Sequence, residues 1–387
     1  MARNLRMLTG SALFLFVTCH LLNMAFGLVS VDAVDAARTY LTAPWTLSPV
    51  SVVLMLCLLT HMALGLYALY RRNTLRVPAY DAAQLVFGLL VIPLLASHIV
   101  GIYAAKNLFG YDPTYRIILS YFWLDAPLEG LRQVFVVIVV WVHGSIGIFS
   151  WMRLKPWWER VAWLIYPFFV AVPVLALLGF VDAGNDIMAE AAIVADQAAA
   201  QPAEPPADLS EAERAAAAER DARILASVAL QKRILWIVLS IYAVLVIVTL
   251  AARAARLWAR GRTRAVVHYR DGPSVESEVG PSLLEISRTH DVPHANLCRG
   301  RGRCGTCRVR IVDADGELNP PAAAELQTLG RLGAPADVRL ACRTFPHAGE
   351  IVVERLVAPD IMPNEMALKQ SVGTRPASRA TPEAADA

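Results

Sequence analysis

The sequence predicts a two-part chain, an all-α bundle of six membrane-length helices followed by a small α+β domain. Composition is the first reason: of 387 residues, 56% are hydrophobic and only 18% charged, with a mean hydropathy of +0.45. A soluble domain carries about a quarter charged residues. The second is a change of pattern, because long apolar runs stop near residue 252 and short alternating segments begin near residue 265. The third is that four of the six cysteines fall in the last quarter of the chain. Six are too few for a disulfide scaffold, and their clustering points to metal chemistry. Such a composition argues against a wholly soluble, disordered, collagen-like or nucleic-acid-binding protein. The net charge of +3, from 36 basic and 33 acidic residues, matters less than where those charges lie.

Apolar runs near 7–29, 48–70, 82–104, 131–152, 161–181 and 230–252 each reach the about 20 residues that cross a hydrocarbon core of about 30 Å. The first follows Arg3 and Arg6 and precedes Ser30, Val31, Asp32 and Ala33, as a secretory signal would. Its apolar stretch is longer than a signal needs and carries His20 and Asn23, so it is expected to be a retained helix. Arg71, Arg72 and Arg76, then Arg153, Lys155 and Arg160, then Arg253, Arg256, Arg260, Arg262 and Arg264 occupy one set of connections. Asp32, Asp35, Asp112, Asp125, Glu129 and an acidic, Ala-rich loop over 182–229 occupy the other. Because cytoplasmic loops collect Lys and Arg, both termini are expected inside a bacterial cytoplasmic membrane, with 1–260 as the membrane domain. In the long outer loop a Pro-rich break over 201–206 precedes Ser210 and Glu213, a capping box; a short helical hairpin outside the membrane is expected there. Trp157 and Trp158, with Lys155 and Arg160, resemble an inner interfacial anchor, and Cys19 and Cys57 read as small packing residues.

The second domain is expected over 265–357. Ala265–Arg270 and Val275–Val279 read as strands joined at Asp271 and Gly272, a hairpin signal. A helix is expected over Ser282–His290, a strand over Arg308–Asp313, a helix over Ala322–Leu332, and strands over Val338–Ala341 and Ile351–Leu356. The tail 358–387 has no apolar period and is expected to be disordered.

Cys298, Cys304, Cys307 and Cys342 follow the spacing C-x5-C-x2-C-x34-C. Three thiolates on one tight loop and a fourth from a distant strand can wrap two irons, two ligands each, while Gly300, Gly302 and Gly305 let the backbone turn close to the sulfurs. The segment resembles the [2Fe-2S] ferredoxins of β-grasp fold, with a first gap nearer the adrenodoxin-like branch than the plant type. A structural zinc site is the alternative, but such sites usually pair two C-x2-C knuckles and one is present; a disulfide reading conflicts with a reducing cytosol. Arg299, Arg301, Arg303, Arg308, Arg310 and Arg343 crowd the motif with no acid between Cys298 and Arg310. They are either a solvated basic rim or a docking face for an acidic partner or anionic lipid.

Four of the eight histidines fall inside predicted spans: His20, His61, His98 and His143. Ionisable groups at bilayer depth are costly and mark function, and helix bundles hold cofactors through facing side chains. Two bis-histidine haems would use all four. His20 and His98 lie about 14 and 9 Å from the outer ends of their helices at 1.5 Å per residue, and His61 and His143 lie deeper. The expected pairs are therefore His20 with His98 as an outer haem and His61 with His143 as an inner one. Gly65, Gly101, Gly144, Ser145 and Gly147 could admit a macrocycle or serve helix packing.

The arrangement resembles the haem-binding membrane anchors of the succinate dehydrogenase and fumarate reductase superfamily. Residues Thr9 to Asn23 resemble the first helix of bacterial adenylate cyclases in which a six-helix dihaem anchor precedes a ferredoxin domain and then a cyclase domain. That resemblance covers 1 to about 357 and implies two haem b groups, a [2Fe-2S] cluster and a response to quinone. Only about thirty residues follow, so no cyclase or other substrate-converting domain is expected in this chain. Tyr103, Lys106, Asn107, Asp125, Glu129 and Arg132 could serve a quinone or be ordinary interfacial residues.

The expected function is electron transfer in a lipid bilayer, linking quinone-reactive b haems to a cytoplasmic cluster and a soluble redox partner. The alternative is a redox-sensing anchor that regulates a separate effector, such as an adenylate cyclase. A transporter using its histidines as a proton relay fits the cysteine motif least.

Overall fold

The computed structural model describes residues 2–108, 110, 114–155, 157–200, 210–259, 263–315 and 318–360. Asp112, Arg260, Arg262, the Pro-rich break over 201–206 and the tail beyond residue 360 lie outside the described residues. The chain divides into two compact units, one of 1–71 and 78–253, the other of 72–77 and 254–387.

Among the described residues, six helices are long and apolar enough to cross a membrane. They are α1 (Ala2–Ala25), α4 (Val50–Arg71), α5 (Ala79–Asn107), α7 (Pro127–Met152), α8 (Trp158–Ala200) and α9 (Glu211–Ala259). Their outer faces are apolar: Trp163 is 72% exposed and Trp236 68%, which suits lipid as the surrounding solvent. Short helices fill the connections: α2 (Val31–Leu41), α3 (Ala43–Thr46) and α6 (Tyr115–Ser120). The last two long helices run well past the expected ends. At 1.5 Å per residue, α8 and α9 are about 65 and about 74 Å long, roughly twice the hydrocarbon thickness. Alanine, the strongest helix former, carries α8 on through Asp182, Asp186 and Glu190, so the acidic loop is largely helix continuous with the spans. Ser210 caps α9 with its hydroxyl facing the Glu213 amide at 3.3 Å, and Glu213 accepts from the Ser210 amide at 2.8 Å.

Prolines inside spans free carbonyls that lipid cannot satisfy, and of Pro93, Pro167 and Pro173 two have those carbonyls met by side-chain donors. Pro93 deprives the Leu89 carbonyl of its helical partner, and the Tyr242 hydroxyl of α9 donates to it at 2.7 Å. Pro173 does the same to Phe169, whose carbonyl accepts the Trp141 indole N–H at 2.7 Å. Trp141 is thereby fixed in a core of Leu21, Val172 and Ala176. Trp158 is buried between Phe149 and Tyr166, where its ring completes an aromatic contact of α7 with α8; Trp157 is the exposed one of the pair.

The second unit is a five-stranded mixed sheet in the order β2-β1-β5-β3-β4, with β1 and β5 parallel and the other neighbours antiparallel. Its strands are β1 (Arg264–Tyr269), β2 (Ser274–Glu278), β3 (Arg308–Ala314), β4 (Val338–Leu340) and β5 (Gly349–Arg355), with helices α10 (Leu283–Thr289) and α11 (Ala323–Arg331). Alternation puts Ala265, Val267 and Tyr269 of β1 inward. There Val267 and Tyr269 join Leu283, Leu284, Ile286, Val309, Leu340, Ile351 and Val353 in one core. Ser282 and Glu285 form the capping box that starts α10. The segment Arg72–Val77 belongs to this unit: Asn73 donates to the Gly280 carbonyl at 2.9 Å, and Arg256 donates to Asn73 Oδ1 at 3.2 Å.

Candidate functional site

The loop between α10 and β3 carries three of the four clustered cysteines, and the turn after β4 carries the fourth; all are buried. Arg299, Gly300, Gly302 and Gly305 have φ of 57, 80, 68 and 72°. Glycine takes this left-handed conformation without strain, so the loop coils tightly enough to turn its sulfurs inward. The sulfurs stand as two pairs. Cys307 and Cys342 lie with Sγ atoms 3.4 Å apart. Cys304 Sγ accepts the Cys298 amide at 3.3 Å and the Thr306 amide at 3.4 Å, and lies 3.0 Å from the Thr306 hydroxyl. That hydroxyl accepts the Leu297 amide at 3.1 Å, so its own proton is free for the sulfur. Among the described residues no three His, Cys, Asp or Glu side chains group as a single metal ion would require; two pairs are what two irons with two protein ligands each require. The thiols of Cys304 and Cys307 are pushed up, first by bonding to the partner sulfur and then by burial. Proton-holding pairs of this kind are expected to exchange protons for a cation.

Helix α11 and the strand after it brace this loop. Thr328 donates to the Gly302 carbonyl at 2.7 Å and Arg331 to the Arg303 carbonyl at 2.6 Å. Beneath them Glu325, fully buried, accepts from Arg339 through both oxygens at 2.9 and 3.2 Å and from the Leu340 amide at 2.9 Å. This bidentate ion pair ties α11 to β4 two residues before Cys342. The arginines around the loop are not one uniform rim. Arg343 donates to the Arg301 carbonyl, and Arg310 pairs with Asp337 and Glu354, acids brought to it by strand pairing from outside the 298–310 window.

In the first unit the four span histidines meet in two pairs. The His20 and His98 ring centroids are 6.0 Å apart, and those of His61 and His143 are 6.1 Å apart. Two imidazoles sharing one metal through nitrogen bonds of about 2 Å would have centroids roughly 6 Å apart, so both pairs have the spacing that a haem held by two histidines would need. The second nitrogens fit as well. His61 Nδ1 lies 3.1 Å from the Arg6 carbonyl and His143 Nδ1 2.9 Å from the Gln84 carbonyl. A carbonyl only accepts, so each Nδ1 carries the hydrogen and each Nε2 keeps a lone pair. His20 Nδ1 lies 3.1 Å from the Tyr115 hydroxyl.

Sequence reasoning missed Tyr115, Gly10 and Gly88. Tyr115 stands on α6, a helix hidden in a connection, where Asp35 accepts the Tyr115 and Arg116 amides at 2.7 and 3.2 Å. A Cβ on Gly10 or Gly88 would stand 2.7 Å from Cε1 of His61 or His143. Of the small residues singled out earlier, Gly144 makes room for the Phe14 ring instead and so serves packing of α1 on α7. Tyr103, Lys106, Asn107 and Asp125 are exposed, whereas Arg132, paired with Glu129, lies within electrostatic reach of His98.

The β-grasp sheet, the buried cysteine pairs and the glycine loop define the second unit as a ferredoxin domain. In agreement, residues 268–347 match the family model described as a 2Fe-2S iron-sulfur cluster binding domain. No curated protein and no solved structure matches the chain. The molecule thus combines a [2Fe-2S] ferredoxin domain, a fold of electron transfer, with six membrane-length apolar helices.

Proposed function

We propose that this chain is a membrane-bound electron-transfer protein in which His20 with His98, and His61 with His143, hold two b haems, and Cys298, Cys304, Cys307 and Cys342 hold the [2Fe-2S] cluster. Haem iron between two imidazoles and a two-iron cluster each supply reversible one-electron redox chemistry. The observation that carries the reading is the spacing of the two imidazole pairs, both near 6 Å, in a chain that also bears a ferredoxin domain.

The chain's own residues set the conditions for that chemistry. Carbonyls of Arg6 and Gln84 orient the inner imidazoles, and Tyr115 contacts the outer one. Thr306 and the loop amides place hydrogen-bond donors on Cys304, which favours the more negative, reduced state. His20 and His98 each lie ten residues beyond the inner-pair contacts on α1 and α5, about 15 Å at 1.5 Å per residue, so the two pairs form two levels across the membrane. The quinone pool is the proposed exchange partner at the outer level. The basic connections support a cytoplasmic ferredoxin domain and, with the arginines of the cysteine loop, a soluble partner with an acidic face.

The test is spectroscopic. Membranes containing the full chain are expected to show reduced b-haem bands, bleached ferredoxin absorbance on reduction, and haem reduction by added quinol. Absence of b-haem bands would remove the dihaem assignment; b bands that quinol cannot reduce would remove the quinone assignment.

A further inference from the structure

Around the inner histidines one local arrangement occurs twice. On α1 the Arg6 carbonyl is followed one turn later by Gly10 and ten residues after that by His20; on α5 the Gln84 carbonyl is followed by Gly88 and then His98. The step is 78 residues each time: 6 to 84, 10 to 88 and 20 to 98. Their partner helices repeat too, with His61 and Gly65 on α4 answered by His143 and Gly147 on α7, a step of 82. The carbonyl and glycine contacts recur on the same ring atoms, although Thr9, 3.4 Å from His61 Nδ1, is answered by Phe87 in the second copy. His61 Nδ1 meets the Arg6 carbonyl at 3.1 Å and His143 Nδ1 the Gln84 carbonyl at 2.9 Å. A Cβ on Gly10 would lie 2.7 Å from Cε1 and 3.0 Å from Nδ1 of His61; on Gly88 it would lie 2.7 and 3.1 Å from the same atoms of His143.

We infer that α1 with α4, and α5 with α7, are two copies of one helix-pair unit, and that Gly10 and Gly88 are the positioning residues of its histidine socket. The physical reason lies in how a helix exposes its carbonyls. A side chain one turn along normally screens the carbonyl from a neighbouring helix; glycine removes that screen, so the imidazole ring settles on the helix backbone and its Nδ1–H reaches the oxygen. The bond selects the tautomer with Nδ1–H and a lone pair on Nε2, and the ring contact sets the direction of that lone pair. His61 and His143 are equivalent positions of the two copies, as are His20 and His98, so each pair joins one residue to its own counterpart. The copies differ at the outer level, where Tyr115 contacts His20. Internal repeats of this kind are common in membrane bundles, with functional sites at the repeat interface.

This inference rests on the ligand assignment proposed above, and its test separates the two. In the full chain, labelled with 15N-histidine and prepared without haem, the imidazole signals removed by His61→Gln and by His143→Gln are expected to report Nδ1-protonated rings. Nε2-protonated rings would overturn the socket. In haem-loaded membranes, Gly10→Ala and Gly88→Ala are each expected to shift or remove the b-haem component that His61→Gln also removes, while leaving the component that depends on His98. That surviving outer component shows that the helices still assemble. Two unchanged components, or two that collapse together, would overturn the socket assignment. If the wild-type chain carries no b haem, the ligand assignment falls, while the tautomer measurement still decides whether the glycines position the rings.

Discussion

His20 and His98 face one another from α1 and α5 with ring centroids 6.0 Å apart and planes inclined by 58°. If this pair holds a haem as proposed, substituting either should empty the same site. His98→Ala is expected to abolish about half of the b-haem absorbance and leave the component that depends on His61, as read from reduced-minus-oxidised spectra of membranes.

Only His20 of this pair has Tyr115 against its Nδ1, at 3.1 Å. With Nε2 directed to a metal, Nδ1 carries the hydrogen and donates to the hydroxyl, which makes the imidazole a more basic ligand and favours the oxidised iron. Tyr115→Phe should raise the potential of the outer component. A bond of about 1 kcal/mol corresponds to about 40 mV for one electron. Redox titration of the full chain checks the sign, and an unchanged outer potential would refute the prediction.

Thr306 acts with the opposite sign. Its hydroxyl lies 3.0 Å from Cys304 Sγ and accepts the Leu297 amide, so the proton it offers the sulfur stabilises added negative charge. Thr306→Val keeps the shape and removes the donor. The cluster potential is expected to fall by about 40 mV, from about 1 kcal/mol for the lost bond, measured by the cluster's signal in the same titration.

Glu325 and Arg339 form a pair in which the carboxylate side chain is fully buried and the arginine side chain 10% exposed. Removing one charge strands the other, which costs about 3 to 5 kcal/mol. Glu325→Ala should bleach the cluster at a markedly lower urea concentration than wild type, with a smaller change for Glu325→Gln because an amide oxygen can still accept from Leu340. Equal midpoints for all three would sink the argument.

Tyr242→Phe would leave the Leu89 carbonyl, freed by Pro93, without its donor. Hydrogen bonds between membrane helices average about 0.6 kcal/mol, so a loss of that size is expected, visible as a lower thermal midpoint in detergent. Trp141→Phe should have a similar effect at the Phe169 carbonyl.

What could be read from the sequence was local. Six apolar runs long enough to span, Ser282 and Glu285 as a helix start, the Asp271 and Gly272 hairpin and the cysteine spacing each depend on neighbours a few residues apart. The helix end at Ala200 was less legible, because alanine carries a helix onward where the apolar pattern stops, whereas Ser210 and Glu213 marked the start at Glu211. The short helices α2 and α6 were hidden too, since neither is long enough to register as more than a polar connection.

The sequence alone determined that this is a chain of membrane-length helices with a [2Fe-2S] ferredoxin domain, because hydropathy and ligand spacing are properties of short windows. The tertiary structure decided which groups meet. It set Gly10 against His61 and Gly88 against His143, brought Tyr115 to His20, and gave the carbonyls of Leu89 and Phe169 their donors. Those partners stand between 28 and 153 residues apart along the chain. Helix packing brought them together, and out of reach of water a carbonyl freed by proline takes the donor that packing supplies.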